Sequence, residues 1–333
     1  MPSLQEMLSS HSVLLADGAA GTNFFEMGLV AGDSPEFWNV DDPDKVTGLH
    51  QGFVDAGADI ILTNTFGANR DRLKLHNAQD RVYELNKAGA ELARAVADKA
   101  GRPVVVAGSI GPLGELFEPL GALTDENALE AFAEQARGLK DGGADVCWIE
   151  TMSAIEELRA AALGAIAAGM PYAATASFDT AGMTMMGVAP QTLGSIFADL
   201  PEQPVAIGSN CGVGASDLLV SVLGISQGAP DHVMIAKANC GIPRVSGDHV
   251  HYTGTPDLMA DYARLAADAG VRIIGGCCGT SNEHLAAMRA ALDSYTPGAR
   301  PDRALIEAML GPLASPPSEG RVRERASSRR RRA

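Results

Sequence analysis

Eight short apolar runs recur along the chain, and an alanine-rich segment with helical spacing follows each of them. The runs occupy residues 13–16, 59–62, 103–107, 145–149, 172–177, 204–207, 232–236 and 271–274. The helical segments occupy residues 44–57, 78–100, 125–142, 154–168, 190–199, 214–224, 255–269 and 281–293. Apolar strands that alternate with helices are typical of parallel sheets buried on both faces. The pattern predicts an α/β fold, a single (β/α)8 TIM barrel, and leaves a doubly wound open sheet as the alternative because periodicity cannot show closure.

Most of the helical segments stop at a glycine. The glycines that stand between a helical segment and the next apolar run are Gly57, Gly101, Gly142, Gly169 and Gly270. Glycine is favoured just after a helix because it adopts the left-handed backbone conformation at little cost. These positions therefore support a chain built from repeated βα units.

Composition indicates a globular protein of a reducing compartment. The chain has 333 residues, of which 46% are hydrophobic and 20% charged. No apolar run approaches the length of about 18 residues that a membrane helix needs, and no basic segment followed by an apolar core marks a secretory signal. Five cysteines, an odd number, fit metal binding or catalysis better than a disulfide framework. We expect a cytoplasmic protein with no membrane partner.

Charge is distributed unevenly along the chain. Seven arginines and two glutamates give residues 319–333 a net charge of +5, so the remainder carries −20 of the total of −15. We assign residues 1–312 to the barrel domain and residues 313–333, rich in Pro, Ser and Arg, to a disordered Arg-rich tail. The acidic body argues against nucleic acid as a partner, and a homo-oligomer remains open.

Polar residues and glycines follow the apolar runs, at the carboxyl ends of the predicted strands. They include Asp17, Gly18, Thr63, Asn64, Ser109, Glu150, Thr151, Asn210, Cys211, Lys237, Asn239, Cys240, Cys277 and Cys278. In barrel enzymes the chemistry takes place at this face. We therefore expect the active site there.

Cys277 and Cys278 are adjacent and lie between glycines at the end of the eighth run. Consecutive strand residues point to opposite faces, so both thiols can serve one centre only if the backbone turns, which Gly275, Gly276 and Gly279 permit. A thiolate pair suits a soft metal, most of all zinc, whereas packing as small apolar side chains is the alternative. Cys211, at the end of the sixth run, is the candidate third ligand.

The other two cysteines are weaker candidates. Cys240 also ends a run and is a rival ligand, whereas Cys147 lies within the fourth run and is expected in the core. Three protein ligands leave a fourth position on zinc for a substrate. Three thiolates make Zn²⁺ a poor Lewis acid for water, but such a site can hold and deprotonate a substrate thiol. Thiol alkylation is the favoured chemistry.

Six motifs at the strand ends resemble those of the homocysteine S-methyltransferase family. They are Asp17-Gly18-Ala19-Ala20-Gly21-Thr22, Thr63-Asn64-Thr65-Phe66, Gly111-Pro112, Glu150-Thr151, Gly208-Ser209-Asn210-Cys211 and Gly275-Gly276-Cys277-Cys278-Gly279-Thr280. The match covers residues 10–293 and keeps the family's order. The resemblance implies a barrel in which Cys211, Cys277 and Cys278 hold Zn²⁺ and the homocysteine sulfur takes the fourth position.

The resemblance also implies residues that bind homocysteine. Glu150 would bind the amino group, and Asp17 with the neighbouring backbone at Gly18 would help to hold the amino acid. A salt bridge to a protein cation is the alternative for Glu150, and a turn or helix cap is the alternative for Asp17. Thr151 is placed among the substrate-binding residues, and Asn210 is placed there or in support of the thiolates.

Betaine is the expected methyl donor, with methionine and dimethylglycine as products. Residues 34–39 and 69–76 most resemble bacterial chains assigned to betaine–homocysteine methyl transfer. A quaternary ammonium favours an aromatic cage, for which Trp38 and Phe66 are the candidates. Phe24 and Phe25 are other aromatic residues of the rim, for which simple packing is the favoured interpretation.

Several alternatives stay open. Aromatic residues stand at the positions of Gly67 and Thr151 in the animal betaine enzymes, so a cage here would be built differently. S-methylmethionine or another sulfonium, such as dimethylsulfoniopropionate, is the alternative donor, and a cobalamin route would need further domains that a partner chain could supply. Outside methyl transfer, the alternatives are a non-catalytic barrel with structural zinc and a metal-free lyase or aldolase in which Lys237 forms a Schiff base.

Overall fold

Eight parallel strands close into a ring at the centre of the molecule. The computed structural model describes residues 3–246 and 249–316. The barrel strands are β1 Leu14–Leu15, β2 Ile60–Leu62, β3 Val105–Ile110, β4 Val146–Met152, β5 Tyr172–Ala176, β6 Ile207–Cys211, β7 Met234–Ala238 and β10 Ile273–Gly276. Between β7 and β10, a separate antiparallel hairpin pairs β8 Pro243–Ser246 with β9 His249–Tyr252. The ladder runs β1-β10-β7-β6-β5-β4-β3-β2. Two backbone hydrogen bonds close it, from Asp59 N–H to Leu15 O at 2.7 Å and from Asp17 N–H to Ile60 O at 3.0 Å. The predicted (β/α)8 barrel is confirmed.

Helices surround the strands. They are α1 Leu4–Ser10, α2 Ala20–Glu26, α3 Trp38–Asp41, α4 Pro43–Asp55, α5 Arg70–Leu73, α6 Val82–Lys99, α7 Asp125–Asp141, α8 Ile155–Ala167, α9 Ala215–Gly228, α10 Pro256–Asp268, α11 Asn282–Asp293 and α12 Arg303–Leu310. The helix predicted at 190–199 is wrong: the chain forms two 3₁₀ turns there, Pro190–Thr192 and Gly194–Phe197. Gly194 packs so closely that a Cβ atom would lie 2.6 Å from Ala229 Cβ. A glycine in this place weakens a continuous helix.

Several barrel strands extend beyond the apolar runs that predicted them. β4 continues to Met152 and β6 to Cys211, so Glu150 and Asn210 lie within strands instead of in the loops that follow. Hydrophobicity reports which side chains are buried in apolar surroundings, whereas the backbone ladder continues through polar residues. The polar ends of the strands are thus held by the sheet itself.

Glycines in the left-handed conformation end most of the long helices. Those that follow α4, α6, α8 and α10 are Gly57, Gly101, Gly169 and Gly270. After α7 the left-handed residue is Gly143, with a φ of 93°. Gly142, which was predicted to end this helix, keeps a right-handed φ of −83°. The helix therefore turns into the next strand one residue later than predicted.

The apolar core has two layers. Inward-facing strand residues, among them Trp148, pack inside the barrel, and Leu4, Met7 and Leu8 of α1 join this inner cluster. Outward-facing residues pack between the strands and the surrounding helices. Lys237 Nζ lies 5.9 Å from the centroid of the Trp148 ring. Since Lys237 is the penultimate residue of β7, the polar end of the barrel begins directly beyond this tryptophan.

The segment after α12 lies against the barrel as far as the structure describes it. The Asp217 carboxylate accepts hydrogen bonds from Ala314 N–H at 2.9 Å and Ser315 N–H at 2.8 Å. Ser315 Oγ in turn accepts one from Ala181 N–H at 2.8 Å. Most of the tail predicted to be disordered, residues 317–333, lies outside the described residues. None of the helices described is both long and apolar enough to span a membrane.

A buried histidine of α4 should make the stability of the fold depend on pH. Both ring nitrogens of His50 are buried and lack a hydrogen-bond partner among the described residues. Burial lowers the pKa of His50 from 6.5 to about 4. The unfolded chain therefore takes up a proton at a higher pH than the folded one. We expect the free energy of unfolding to fall by up to about 3 kcal/mol as the pH drops from about 6.5 to about 4.

His50→Leu should flatten that pH dependence. The substitution introduces an apolar side chain of similar size and removes two unpartnered nitrogens, so the variant should be no less stable than the wild type at pH 7. Urea unfolding of both proteins at pH 7 and pH 5 measures the difference. Equal losses of stability between the two pH values would contradict the assignment to His50.

Candidate functional site

A cavity of about 260 Å³ opens at the carboxyl ends of the barrel strands. The predicted site residues that line it are Asp17, Gly18, Phe66, Glu150, Thr151, Cys211, Cys277 and Cys278. Trp38 and Asn210 are absent from its lining. The volume lies slightly below the range of about 300–1,000 Å³ that is usual for drug-sized ligands. It therefore suits small metabolites.

Three cysteines form a cluster in this cavity. The Sγ atoms of Cys211, Cys277 and Cys278 all lie within 4.8 Å of one another, and those of Cys211 and Cys278 are 3.9 Å apart. A tetrahedral zinc site with zinc–sulfur bonds of about 2.3 Å places its sulfur atoms about 3.8 Å apart. Hydrogen bonds from the Cys211 and Cys277 thiols hold the pKa of Cys278 well below its usual range. The donor set and its spacing fit a soft metal.

A backbone turn after β10 brings the two adjacent thiols together. Cys277 N–H still donates to Ala238 O of β7 at 2.6 Å, whereas Cys278 N–H donates to the Asn239 side-chain oxygen at 3.1 Å. Gly279 follows with a φ of 81°. A Cβ at Gly276 would lie 2.3 Å from the Thr280 side chain. The turn therefore requires glycine at both positions, as the sequence predicted.

Asn210 lies beneath the cavity and fixes the end of β4. Its Oδ1 accepts hydrogen bonds from Thr151 N–H at 2.8 Å and Thr175 Oγ1 at 2.7 Å, and its Nδ2 donates to Thr151 Oγ1 at 2.7 Å. Asn210 Nδ2 also lies 3.9 Å from Cys277 Sγ. These bonds hold Thr151 at a left-handed φ of 63°, a conformation that a threonine adopts only under such constraint. Asn210 thus supports the site from behind.

Glu150 lies where the register between β4 and β5 shifts. The irregularity falls between Ile149 and Met152, and such bulges turn a side chain toward a site. Ser109 Oγ donates to Glu150 Oε1 at 2.6 Å. Burial raises the pKa of Glu150 to about 7, and the charge of Lys237 opposes this only in part. Among the described residues no Lys, Arg or His nitrogen lies within 4.0 Å of this carboxylate, so the alternative of a protein salt bridge is not realised.

Asp17 and Lys237 form a buried ion pair at the inner end of the cavity. Lys237 Nζ lies 2.6 Å from Asp17 Oδ1, and both side chains are at most 3% exposed. Asp17 Oδ2 accepts a hydrogen bond from Leu62 N–H at 2.7 Å. Burial alone would lower the pKa of Lys237, but Asp17 and Glu150 raise it overall. A Schiff-base lysine needs a neutral amine, so this pairing counts against the lyase or aldolase alternative.

Only one of the expected aromatic residues reaches the cavity. Phe66 lines it, whereas Trp38 packs edge-on against the buried Phe24 ring at 5.2 Å. Lys45 Nζ lies 4.1 Å from the centroid of the Trp38 ring. Phe25 is 51% exposed. The structure does not bring Trp38 and Phe66 together at the cavity.

The two remaining cysteines stand apart from the cluster. Cys240 is buried, and burial raises its pKa to about 11. Its N–H donates to Cys278 O at 2.9 Å, so its backbone and not its thiol supports the turn. Cys147 packs in the layer between strands and helices, as predicted.

The sequence did not predict two features of the cavity. One is the pairing of Lys237 with Asp17, because residues 220 positions apart carry no pairing signal. The other is Glu36, a buried carboxylate that lines the cavity from the loop before α3. The only signal for Glu36 was an acidic residue between Pro35 and Phe37, in a segment already associated with the donor.

The fold and the site together define a (β/α)8 barrel with a cluster of three thiols that could hold a metal ion at the carboxyl ends of its strands. A family model described as homocysteine S-methyltransferase matches residues 14–292. The chain belongs to the homocysteine S-methyltransferase family. This confirms the resemblance drawn from the six motifs.

Two mycobacterial proteins are among the relatives by sequence. The methionine synthase of Mycobacterium tuberculosis (strain ATCC 25618 / H37Rv) is 32% identical over 311 residues, covering 88% of this chain and 25% of that protein. The methionine synthase of Mycobacterium leprae (strain TN) is 31% identical over 306 residues, covering 87% of this chain and 25% of that protein. The chain thus spans about a quarter of the length of these relatives.

Solved structures of the homocysteine methyltransferase MmuM from Escherichia coli share the fold. The oxidised form has a TM-score of 0.71 and 24% identity, covering 87% of this chain and 99% of that chain. The metallated form has a TM-score of 0.70 and 24% identity, covering 85% of this chain and 98% of that chain. At this identity the likeness is one of fold.

Proposed function

We propose that this chain transfers a methyl group from betaine to homocysteine, with Zn²⁺ held by Cys211, Cys277 and Cys278. The observation that carries the proposal is the cluster of three thiols within 4.8 Å in a cavity that also contains the buried Glu150 carboxylate, which no cationic nitrogen of the described residues approaches within 4.0 Å. Family membership supports homocysteine as the methyl acceptor. A reducing compartment such as the cytoplasm would keep the thiols available for metal.

Zinc is the metal proposed because the donors are thiolates in near-tetrahedral spacing. Bound there with an open fourth position, Zn²⁺ would lower the pKa of the substrate thiol and so supply a thiolate nucleophile. Asn210 and Asn239 position the ligands by hydrogen bonds to Cys277 Sγ and Cys278 N–H. Such support is worth about 10- to 100-fold in metal affinity.

Glu150 is proposed to bind the homocysteine ammonium. Its carboxylate is 8% exposed and already oriented by Ser109, and a buried carboxylate is costly without a positive partner. The substrate ammonium would supply that partner. The backbone at Gly18 and the end of β4 at Thr151 border the same space and are proposed to hold the rest of the amino acid.

The reaction is a direct displacement at the methyl carbon. The homocysteine sulfur forms a bond to the methyl group as the methyl–nitrogen bond of betaine breaks. The electron pair of that bond stays on nitrogen, so dimethylglycine leaves as a neutral amine and the thiol proton passes to solvent. Enclosure of both substrates in one small cavity contributes by orienting them and excluding water.

A second donor route is favoured by the methionine synthase relatives. Sequence identity of 32% over 88% of this chain relates it to a methionine synthase of which the match covers only 25%, and a cobalamin route would require further domains. In that case the chain would provide the homocysteine side of the reaction, and another polypeptide would deliver the methyl group. The acceptor chemistry at the three thiols would be unchanged.

One assay separates these donors. Zinc-loaded protein is incubated with homocysteine and, in parallel, with betaine, S-methylmethionine, dimethylsulfoniopropionate or methylcobalamin, and methionine is quantified. Betaine is expected to support turnover at the highest rate. Turnover with a sulfonium or with methylcobalamin alone would overturn betaine as the donor and leave homocysteine methylation standing.

A spectroscopic measurement separates catalysis from a structural metal. With cobalt in place of zinc, homocysteine should change the visible spectrum because its sulfur enters the open fourth position. If homocysteine leaves the visible spectrum of the cobalt-substituted protein unchanged, the metal site is closed and structural. That outcome would contradict the proposed function whichever donor is present.

A further inference from the structure

The charges around the cavity are unbalanced. Asp17, Glu36 and Glu150 line it together with one cation, Lys237. The lysine is committed to Asp17 at 2.6 Å. Among the described residues no Lys, Arg or His nitrogen lies within 4.0 Å of either glutamate carboxylate. Two carboxylates of one cavity therefore lack a direct ion pair with any described residue.

Glu36 is held rigidly although it is unpaired in charge. Its side chain is only 4% exposed. Gly67 N–H donates to Oε1 at 2.6 Å, and Ser34 Oγ donates to Oε2 at 2.5 Å. A carboxylate offers about four acceptor positions, so these two neutral donors leave part of its capacity unused. The group is oriented in advance of any ligand.

Burial of an unpaired carboxylate disfavours folding unless something offsets the loss of hydration. The ammonium proposed for homocysteine offsets it at Glu150, on β4. Glu36 lies in the 3₁₀ turn Pro35–Phe37 before α3 and accepts a hydrogen bond from Gly67, in the loop that follows β2. A second cationic group in the cavity would offset it there. In a methyl transfer from an onium compound such as betaine, the donor brings that second cation.

Phe66 adds an aromatic surface to the cavity that Glu36 lines. It directly precedes Gly67, lines the same cavity and is 37% exposed. The ring is fixed by close packing on Gly111, where a Cβ atom would lie 2.6 Å from Phe66 Cε2. A cation without hydrogen-bond donors, such as a trimethylammonium or sulfonium group, is attracted both by a ring face and by a nearby anion.

We propose that Glu36 and Phe66 form the subsite that binds the onium group of the methyl donor. This inference rests on the proposed methyl transfer and names the class of donor, a small organic cation whose charge lies on the atom that carries the methyl group. The anion replaces the missing aromatic residues of a full cage, since Trp38 is engaged with Lys45. Glu36 and Glu150 thus divide the two positive charges between the two substrates.

The test compares betaine with its carbon analogue, which keeps the carboxylate but has a neutral tert-butyl group in place of the trimethylammonium group. Binding of each compound to zinc-loaded protein is measured by calorimetry without homocysteine, and homocysteine binding is measured in a separate titration, so that no turnover contributes to the heat. The wild type should prefer betaine by at least about tenfold. Glu36→Gln keeps an acceptor for Gly67 N–H, removes the charge, and should abolish most of that preference.

Glu150→Gln is the matched control. It neutralises the other unpaired carboxylate and should weaken homocysteine binding while the preference for betaine over the analogue persists. Phe66→Leu provides a second variant, expected to reduce the preference by several-fold with homocysteine binding intact. A preference that is absent in the wild type, or unchanged in Glu36→Gln, would overturn the subsite. If the wild type forms methionine from betaine but Glu36→Gln keeps the full preference for betaine over the analogue, the subsite alone is refuted. If the preference depends on Glu36 but no methionine is formed from betaine, the proposed function alone is refuted.

Discussion

Cys278→Ala is expected to abolish zinc binding and methionine formation together. The three sulfur atoms are the protein's whole contribution to the proposed metal site, and Cys278 Sγ lies 3.9 Å from Cys211 Sγ. Two remaining thiols cannot complete a site that also takes the substrate sulfur. We expect less than about one tenth of the wild-type zinc content and a fall of more than about 1,000-fold in methionine formation. Metal analysis and the donor assay measure the two quantities on one preparation.

Cys240→Ala is the matched control for this experiment. Cys240 is only two positions from the end of β7 and its backbone bonds to Cys278, but its thiol does not belong to the cluster. The control should therefore keep its zinc. Methionine formation by a zinc-free Cys278→Ala protein would disprove the proposed mechanism.

Lys237→Met is expected to destabilise the protein by about 3–5 kcal/mol, because it leaves one member of a buried ion pair uncompensated. The Asp17 carboxylate would stay enclosed at 2% exposure, with the Leu62 N–H bond as its remaining contact with a protein donor. Urea unfolding at pH 7 measures the loss.

The double variant Asp17→Asn with Lys237→Met tests the cause. The asparagine oxygen can still accept from Leu62 N–H, and no buried charge remains, so most of the lost stability should return. If the double variant is as unstable as the sum of the two single variants, the destabilisation comes from packing and not from the unpaired charge.

Much of the fold followed from local patterns. Each of the eight apolar runs contains or overlaps a barrel strand, since burial on both faces demands apolar residues throughout a strand. Polar strand ends such as Glu150 were placed in loops because their hydrogen bonds come from neighbouring strands. The 3₁₀ turns at Pro190 and Gly194 replaced a predicted helix because packing against Ala229 outweighs weak local propensity.

The site was predictable only where chemistry and glycine geometry coincide. Cys277 and Cys278 lie between Gly276 and Gly279, and these glycines predicted a backbone turn at the two thiols. Trp38 was expected in a donor cage because of its residue type. In the structure its ring packs against Phe24 and Lys45 instead. Residue type alone does not tell which surface of a side chain remains free.

The sequence by itself determined the number of barrel strands, the face that carries the polar residues and the set of three thiols, because strand periodicity and glycine turns are local properties. Tertiary structure alone decided how the charges of the cavity pair. Asp17 pairs with Lys237 across the ring, and neither Glu36 nor Glu150 forms an ion pair within the part of the chain that the structure describes. Pairing between residues so far apart depends on strand order and stagger, which barrel closure sets and no local pattern encodes.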